Sequence, residues 1–138
     1  NLCKNIIGKN KNIEIVVDQT YSVLKKSKVS IITSGTATLE AALLKTPQIV
    51  CYKTDFLTFY LAKIFLNIKW ISLVNILMRK DLVKELIQNN MNLINIKKEL
   101  DYLLSNNNDK LISEYYKLDE LLKSKDVSKK IAKFILST

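Results

Sequence analysis

The 138-residue sequence contains no histidine. Within it, imidazole acid–base chemistry and imidazole metal ligation are therefore excluded, and a proton-transferring group must be a carboxylate, lysine or tyrosine, or lie outside it. The two cysteines, Cys3 and Cys51, are far apart and form no CxxC pair, so neither a disulfide framework nor a zinc site is suggested. Cys51 closes an apolar run and is expected as a small core residue. Proline occurs once, at Pro47, and glycine twice, at Gly8 and Gly35. Arg79 is the single arginine among 22 basic residues, whereas nucleic-acid readers rely on arginine forks for phosphates and base edges. No uninterrupted apolar run is long enough for a membrane span, which needs about 18–20 residues; the longest candidate, residues 56–77, is broken by Lys63, Asn67, Lys69 and Asn75.

What the chain does contain is positive charge: 22 Lys plus Arg against 13 Asp plus Glu, a net charge of +9. That excess favours phosphorylated ligands or anionic surfaces. Abundant lysine and asparagine beside isoleucine also fit an AT-rich coding bias, which makes the scattered lysines incidental. With 48% apolar and 25% charged residues, the composition is that of a folded chain, and its length suits one core. We expect a single domain over residues 1–138. The opening Asn-Leu-Cys-Lys has no start-of-protein character and shows no signal peptide, so a piece of a longer chain is expected.

The organising stretch is Val29-Ser-Ile-Ile-Thr-Ser-Gly-Thr-Ala-Thr-Leu-Glu-Ala-Ala-Leu-Leu44. It reads as a buried strand entering a helix through a glycine turn, the geometry in which backbone amides face an anion. Gly35 permits the sharp turn and close ligand approach. The hydroxyls of Ser34 and Thr36 add donors to the amides of Gly35, Thr36, Ala37 and Thr38. Glu40 lies one helical turn beyond Thr36 on the same face, suited to a pair of sugar hydroxyls. The plainer alternative is that Ser34 or Thr36 only caps the helix and Glu40 is a surface acid. A capping box does not account for Glu40, because the third residue after Ser34 is Ala37 and after Thr36 is Leu39.

Around this stretch, residues 12–17 (Asn-Ile-Glu-Ile-Val-Val) predict a β-branched strand. A short helix follows over 21–26, a strand over 29–32, a helix over 37–44 and a strand over 48–52 entered through Pro47. A broadly apolar helix is predicted for 54–65 and a strand for 69–73, with Val74 and Asn75 opening a loop. Amphipathic helices are predicted for 81–88, for 92–104 with Asn92 as cap, for 109–123 and for 127–136. Alternation of this kind gives a parallel sheet with helices on both faces, whose ligands sit at the carboxyl ends of the strands.

Ser34-Gly-Thr-Ala-Thr-Leu-Glu-Ala-Ala-Leu-Leu44, with Thr46-Pro47 and Val50-Cys-Tyr-Lys53 after it, closely resembles the lipid-A-disaccharide synthase family. Three further blocks follow in order. Leu57-Thr-Phe-Tyr-Leu-Ala62 is similar to a Leu-Thr-x-x-Leu-Ala helix, Ile71-Ser-Leu-Val-Asn-Ile-Leu77 to a Ser-Leu-Pro-Asn-Leu-Leu segment, and Val83-Lys-Glu-Leu-Ile-Gln88 to a Val-x-Glu-Leu-Leu-Gln helix. The resemblance implies a Rossmann-like α/β half of a two-domain GT-B glycosyltransferase, with C-terminal helices. The chain would be its carboxy-terminal UDP-sugar-binding domain, and the amino-terminal acceptor domain with the proposed carboxylate base would be absent.

The implied reaction joins UDP-2,3-diacylglucosamine to 2,3-diacylglucosamine 1-phosphate with inversion and release of UDP, without cofactor or obligatory metal. The implied nucleotide-binding residues are Ser34, Gly35, Thr36, Ala37, Thr38, Glu40 and Asn75, with Arg79 or Lys80 contacting phosphate. Val74 departs from the family's proline, and Met78-Arg79-Lys80 from its Ala-Gly-Arg, so a planar guanidinium is lost at position 80. Acylated anionic substrates imply peripheral attachment to the cytoplasmic face of the inner membrane; a homodimer stays open, and nucleic acid is not expected as a partner. Two other classes compete: a different GT-B sugar-nucleotide enzyme, such as a UDP-N-acetylglucosamine epimerase or peptidoglycan glycosyltransferase, and a non-enzymatic basic binding module.

Overall fold

The computed structural model describes residues 6–8, 10, 12–33, 35–54 and 69–123. Its regular elements are α1 (Thr20–Lys26), β1 (Ser30–Thr33), α2 (Ala37–Leu43), β2 (Gln48–Tyr52), α3 (Leu73–Met78), β3 (Lys84–Ile87), a 3-10 turn (Gln88–Asn90), α4 (Leu93–Ser105) and α5 (Asp109–Lys123). The three strands form one parallel sheet in the order β1-β2-β3, with Thr33 beside Cys51 and Tyr52 beside Ile87. Parallel strands are covered on both faces, and the side chains of β2 point alternately to two cores. Val50 packs with Ala42, Val74, Val83, Tyr115 and Leu118 under α2, α3 and α5. Ile49 and Cys51 pack with Leu86 against Met91, Ile96, Leu100 and Leu103, the last three from α4. Leu24, Ile32 and Ala41 fasten α1 to β1 and α2. Cys51 is thus a core residue, as its apolar run implied, and burial pushes its thiol pKa up.

Pro47 leads into β2, where its lack of an N–H costs no ladder bond; its carbonyl accepts the Ser30 amide at 2.9 Å. Thr46, buried behind it, donates to the Leu24 carbonyl at 2.8 Å and ties the end of α1 to the start of β2. Asn92 caps α4 as expected, its side chain accepting the Asn95 amide at 3.0 Å. Lys45, with φ 61°, closes α2 and reaches α5: its Nζ donates to the Tyr115 carbonyl at 3.3 Å, pairs with Asp119 at 3.5 Å and lies 4.5 Å from the Tyr116 ring centroid.

Four expectations are corrected. Residues 12–17 are not a strand: residues 13–17 have no regular structure and no ladder partner, and Ile13, Ile15, Val16 and Val17 are exposed. β-branched residues favour extended backbone, but a strand also needs a partner, and pairing is not local. Residues 69–73 are not a strand either. The amides of Ile71 and Ser72 are taken by the Glu85 carboxylate at 2.9 and 3.0 Å instead of by a neighbouring strand. Ser72 then caps α3, accepting the Asn75 amide at 3.3 Å, so Val74 and Asn75 lie buried in a helix rather than in a loop.

The predicted helix over 81–88 contains β3. Leu82, Val83, Leu86 and Ile87 satisfy helical spacing, yet Lys84–Ile87 pairs in parallel with β2, with Leu86 beside Cys51. A short apolar run fits both periods, and the open side of β2 decided the outcome. The helix expected over 54–65 lies outside the described residues apart from Thr54, and the helix expected over 127–136 lies wholly outside them.

Candidate functional site

β1 delivers the chain to the carboxyl edge of the sheet at Thr33, and the turn to α2 follows there. Ser34 lies outside the described residues. Gly35 has φ 137°, a region that favours glycine. A Cβ placed on it would meet nothing within 4 Å, so glycine is required here by the backbone angle rather than by crowding.

Thr36 is exposed, helical at φ −61° and ψ −29°, and makes no side-chain cap. Thr38 is fully buried, and its hydroxyl donates back to the Gly35 carbonyl at 2.7 Å, a bond that braces the turn from inside. The amides of Thr38, Leu39 and Glu40 are bonded to the carbonyls of Gly35 and Thr36. Among the described residues, the amides of Gly35, Thr36 and Ala37 have no acceptor. Those are the donors an incoming anion meets. Glu40 is half-buried in the first turn of α2.

One supporting residue carried no signal in the sequence. Gln48, 1% exposed, donates through Nε2 to the Thr38 carbonyl at 2.9 Å and toward the Tyr115 hydroxyl at 3.4 Å. It links the start of α2 to β2 and α5, while its Oε1 is buried without a partner among the described residues. Burial also raises the Tyr115 phenol well above its ordinary pKa, so the ring is neutral at physiological pH.

The remaining residues implied by the resemblance are not brought to this turn. Arg79 ends α3 with φ 51°, and Lys80 follows it; both precede β3 and stand at the amino edge of the sheet. A four-residue strand separates the two edges by about 13 Å at roughly 3.3 Å per residue. Lys80 forms an ion pair with Glu114 of α5, which also binds Lys117 at 2.9 Å. The hydrogen bond from Lys80, then that from Lys117, holds the Glu114 carboxyl below its ordinary pKa.

Asn75 is 1% exposed, and its amide is used within the chain. Nδ2 donates to the Val83 carbonyl and the Glu85 carboxylate, each at 2.9 Å, and Oδ1 accepts the Leu82 and Val83 amides, each at 2.9 Å. Glu85, which sequence reasoning passed over, is the acceptor on which this group converges. Acid and amide stand ten residues apart, and only the β3 strand assignment would have revealed their pairing.

A parallel sheet covered on both faces, with a glycine turn at the carboxyl end of a strand and a half-buried acid one turn later, defines a Rossmann-like α/β fold, consistent with one half of a GT-B glycosyltransferase. The chain belongs to the lipid-A-disaccharide synthetase family, whose model matches residues 3–137. The match therefore extends well beyond the four blocks quoted above. The lipid-A-disaccharide synthase of Colwellia psychrerythraea is 38% identical over 136 residues, 99% of this chain and 34% of that protein. Those of Blochmanniella pennsylvanica and Vibrio cholerae are 47% identical over 92 residues and 33% over 125, covering 67% and 91% of this chain and 24% and 33% of theirs. The chain spans about a third or less of the length of these curated relatives.

Proposed function

We propose that this chain is the nucleotide-binding part of an enzyme that transfers 2,3-diacylglucosamine from its UDP derivative to 2,3-diacylglucosamine 1-phosphate. The observation that carries the reading is the Gly35 turn at the carboxyl end of β1, in a chain matched by the family model from residue 3 to residue 137. In the transfer, the acceptor hydroxyl oxygen forms a bond to the sugar's anomeric carbon. The bond from that carbon to the diphosphate breaks, and its electron pair leaves with UDP. The acceptor proton goes to a carboxylate supplied from outside this chain.

The turn's task is to bind the diphosphate and stabilise the charge that develops on it, through the amides of Gly35, Thr36 and Ala37 with the hydroxyls of Ser34 and Thr36. Glu40 receives the ribose hydroxyls. Thr38 acts from behind, by holding the Gly35 carbonyl. The reading involves no cofactor, and its acylated anionic substrates imply peripheral contact with the cytoplasmic membrane surface. Among the described residues no helix is long and apolar enough to cross a membrane.

The test is calorimetric titration of UDP into the intact enzyme and its Gly35→Val variant. Loss of binding in a folded variant is expected. Unchanged affinity would make the turn a structural feature only.

A further inference from the structure

We infer that the outer surface of α4 is where the intact enzyme rests on an anionic phospholipid bilayer, with Leu93 and Ile94 as an apolar tip and Lys97 and Lys98 behind it. The inference rests on the reading of acylated substrates met at a membrane surface, and it deepens that reading by naming the side chains of this chain that make the contact.

α4 covers one face of the sheet. Ile96, Leu100 and Leu103 turn inward onto Ile49, Cys51 and Leu86, and their spacing of i, i+4 and i+7 fixes the rotation of the helix. Leu93, Ile94, Lys97 and Lys98 fall outside that inward stripe, and all four are exposed. At 81% and 80%, Leu93 and Ile94 are the most exposed large apolar side chains among the described residues. A scattered apolar residue on a surface is ordinary; here two adjoin, and cations follow one turn later.

Each aliphatic has a lysine four residues on, Leu93 with Lys97 and Ile94 with Lys98, so each pair shares a face. One turn is about 5.4 Å, and helical side chains lean toward the start of their helix, which carries both ammonium groups toward the tip. Interfacial helices bury their apolar side by about 5–10 Å, a depth at which the aliphatics lie below the phosphates and the lysines level with them. Lys97 and Lys98 form no ion pair with a described residue, whereas on α5 Lys117 and Lys123 are held by Glu114 and Asp119. The acids of α4 do not cancel them at the tip: Glu99 is half-buried, and Asp101 lies one turn beyond Lys97.

The tip also stands at the edge that matters. α4 begins just after the 3-10 turn that follows β3, at the carboxyl edge of the sheet. In the order β1-β2-β3, the end of β3 is two strand spacings, about 10 Å, from the end of β1, where the Gly35 turn begins. Lys53, exposed at the end of β2, adds a cation between them. A bilayer held at the tip therefore lies along the edge at which the nucleotide turn opens. Stable peripheral attachment takes two signals, apolar insertion and charge, and the outer surface of α4 supplies both.

The experiment is co-sedimentation of the intact enzyme with phosphatidylcholine vesicles, with and without phosphatidylglycerol, in about 0.1 M salt, where charges farther than about 10 Å from the surface are screened. Thermal unfolding is measured beside it. The double substitution Leu93→Ser and Ile94→Ser is expected to lower partition onto phosphatidylglycerol vesicles by about tenfold or more. Lys97→Gln with Lys98→Gln is expected to lower it by about fivefold or more on those vesicles alone. Lys25→Gln with Lys26→Gln removes the same charge from the exposed end of α1, at the amino edge, and is expected to change binding by less than about twofold. Unfolding temperatures are expected to stay unchanged, because every substituted side chain is exposed.

Retention of both α4 variants at the unsubstituted level would overturn the inference and leave the membrane reading standing. Equal losses from the α1 and α4 lysine pairs would overturn it too, by making the attraction a property of net charge. A serine variant that unfolds at lower temperature yet binds vesicles normally would show the tip covered by protein instead of lipid. An unsubstituted enzyme that binds UDP but neither kind of vesicle would defeat the membrane reading, and this inference with it.

Discussion

Replacing Gln48 by methionine sets three terms against one another at a site with almost no access to water. The substitution removes an amide oxygen that is buried without a partner among the described residues, a burial that costs about 1–3 kcal/mol. It also removes the 2.9 Å bond to the Thr38 carbonyl, worth about 0.5–1.5 kcal/mol net. The contact with Tyr115 is long at 3.4 Å and contributes little by itself, but its loss leaves the phenol hydroxyl without that neighbour, at about 1 kcal/mol. Methionine is unbranched and close to glutamine in volume, so packing adds less than about 1.5 kcal/mol.

The balance lies near zero, and Gln48→Met is expected to change stability by no more than about 1 kcal/mol, with either sign. Gln48→Ala, which gains the first term but opens a cavity, is expected to lose about 2–4 kcal/mol. Denaturant unfolding of the two variants separates these cases. If methionine cost as much as alanine, the hydrogen bonds would outweigh the unpartnered oxygen and the reasoning would fail. UDP calorimetry on the methionine variant reads a second quantity, because the lost bond runs to the first turn of α2; a severalfold weaker affinity at unchanged stability is expected.

Glu40→Gln is expected to weaken UDP more than inorganic diphosphate, because the acid is assigned to the ribose; equal losses in calorimetry would remove that assignment. Glu114 and Asp119 both have folded pKa values held low, Glu114 by hydrogen bonds from Lys80 and Lys117, Asp119 by that from Lys123 and then the charge of Lys45. A depressed carboxylate contributes stability above its unfolded pKa, about 4–4.5, and loses it as pH falls through the folded value. Acid titration of unfolding temperature should therefore show a shallower decline below about pH 5 for Glu114→Gln than for the unsubstituted protein. Anionic vesicles are expected to retain the intact enzyme at low salt and release it at high salt; equal binding to neutral and anionic vesicles at every salt concentration would defeat the electrostatic part of that attachment.

Much of the fold was legible in the residues because its signals are local. Pro47 marks the entry to β2, Asn92 caps α4, and Gly35 marks the turn, each by its own backbone chemistry. What the sequence hid depends on partners distant along the chain. β3 satisfies helix and strand spacing equally, and the choice was made by the open side of β2. Ser72 looked like part of a strand because its cap function shows only when α3 is seen to begin there. Residues 13–17 have the composition of a strand without a ladder. The glycine turn between β1 and α2 was readable from its residues, and its placement at the carboxyl edge followed from the alternation of elements. The roles of Asn75, Arg79 and Lys80 came only from resemblance, which carries residue identity but not edge; the structure puts the two cations at the opposite edge and buries the amide.

Among the described residues the sheet ends at β1, and that gives it a seam. Ser30 takes its bond from β2, so by parallel alternation the N–H and C=O groups of Ile31 and Thr33 point outward, and Ile31 is 51% exposed in mid-strand. Any extended apolar segment that arrives there finds a template already formed. Residues 13–17, of which Glu14 and Val16 line a hollow with β1, are tethered to it through α1, so in dilute solution they hold an advantage of effective concentration over segments of other molecules. In a crowded preparation that advantage shrinks, and copies of the chain begin to compete for one another's seams. A charge placed at Ile31 would close the seam to visitors, and it is the first substitution to make before concentrating this chain for study.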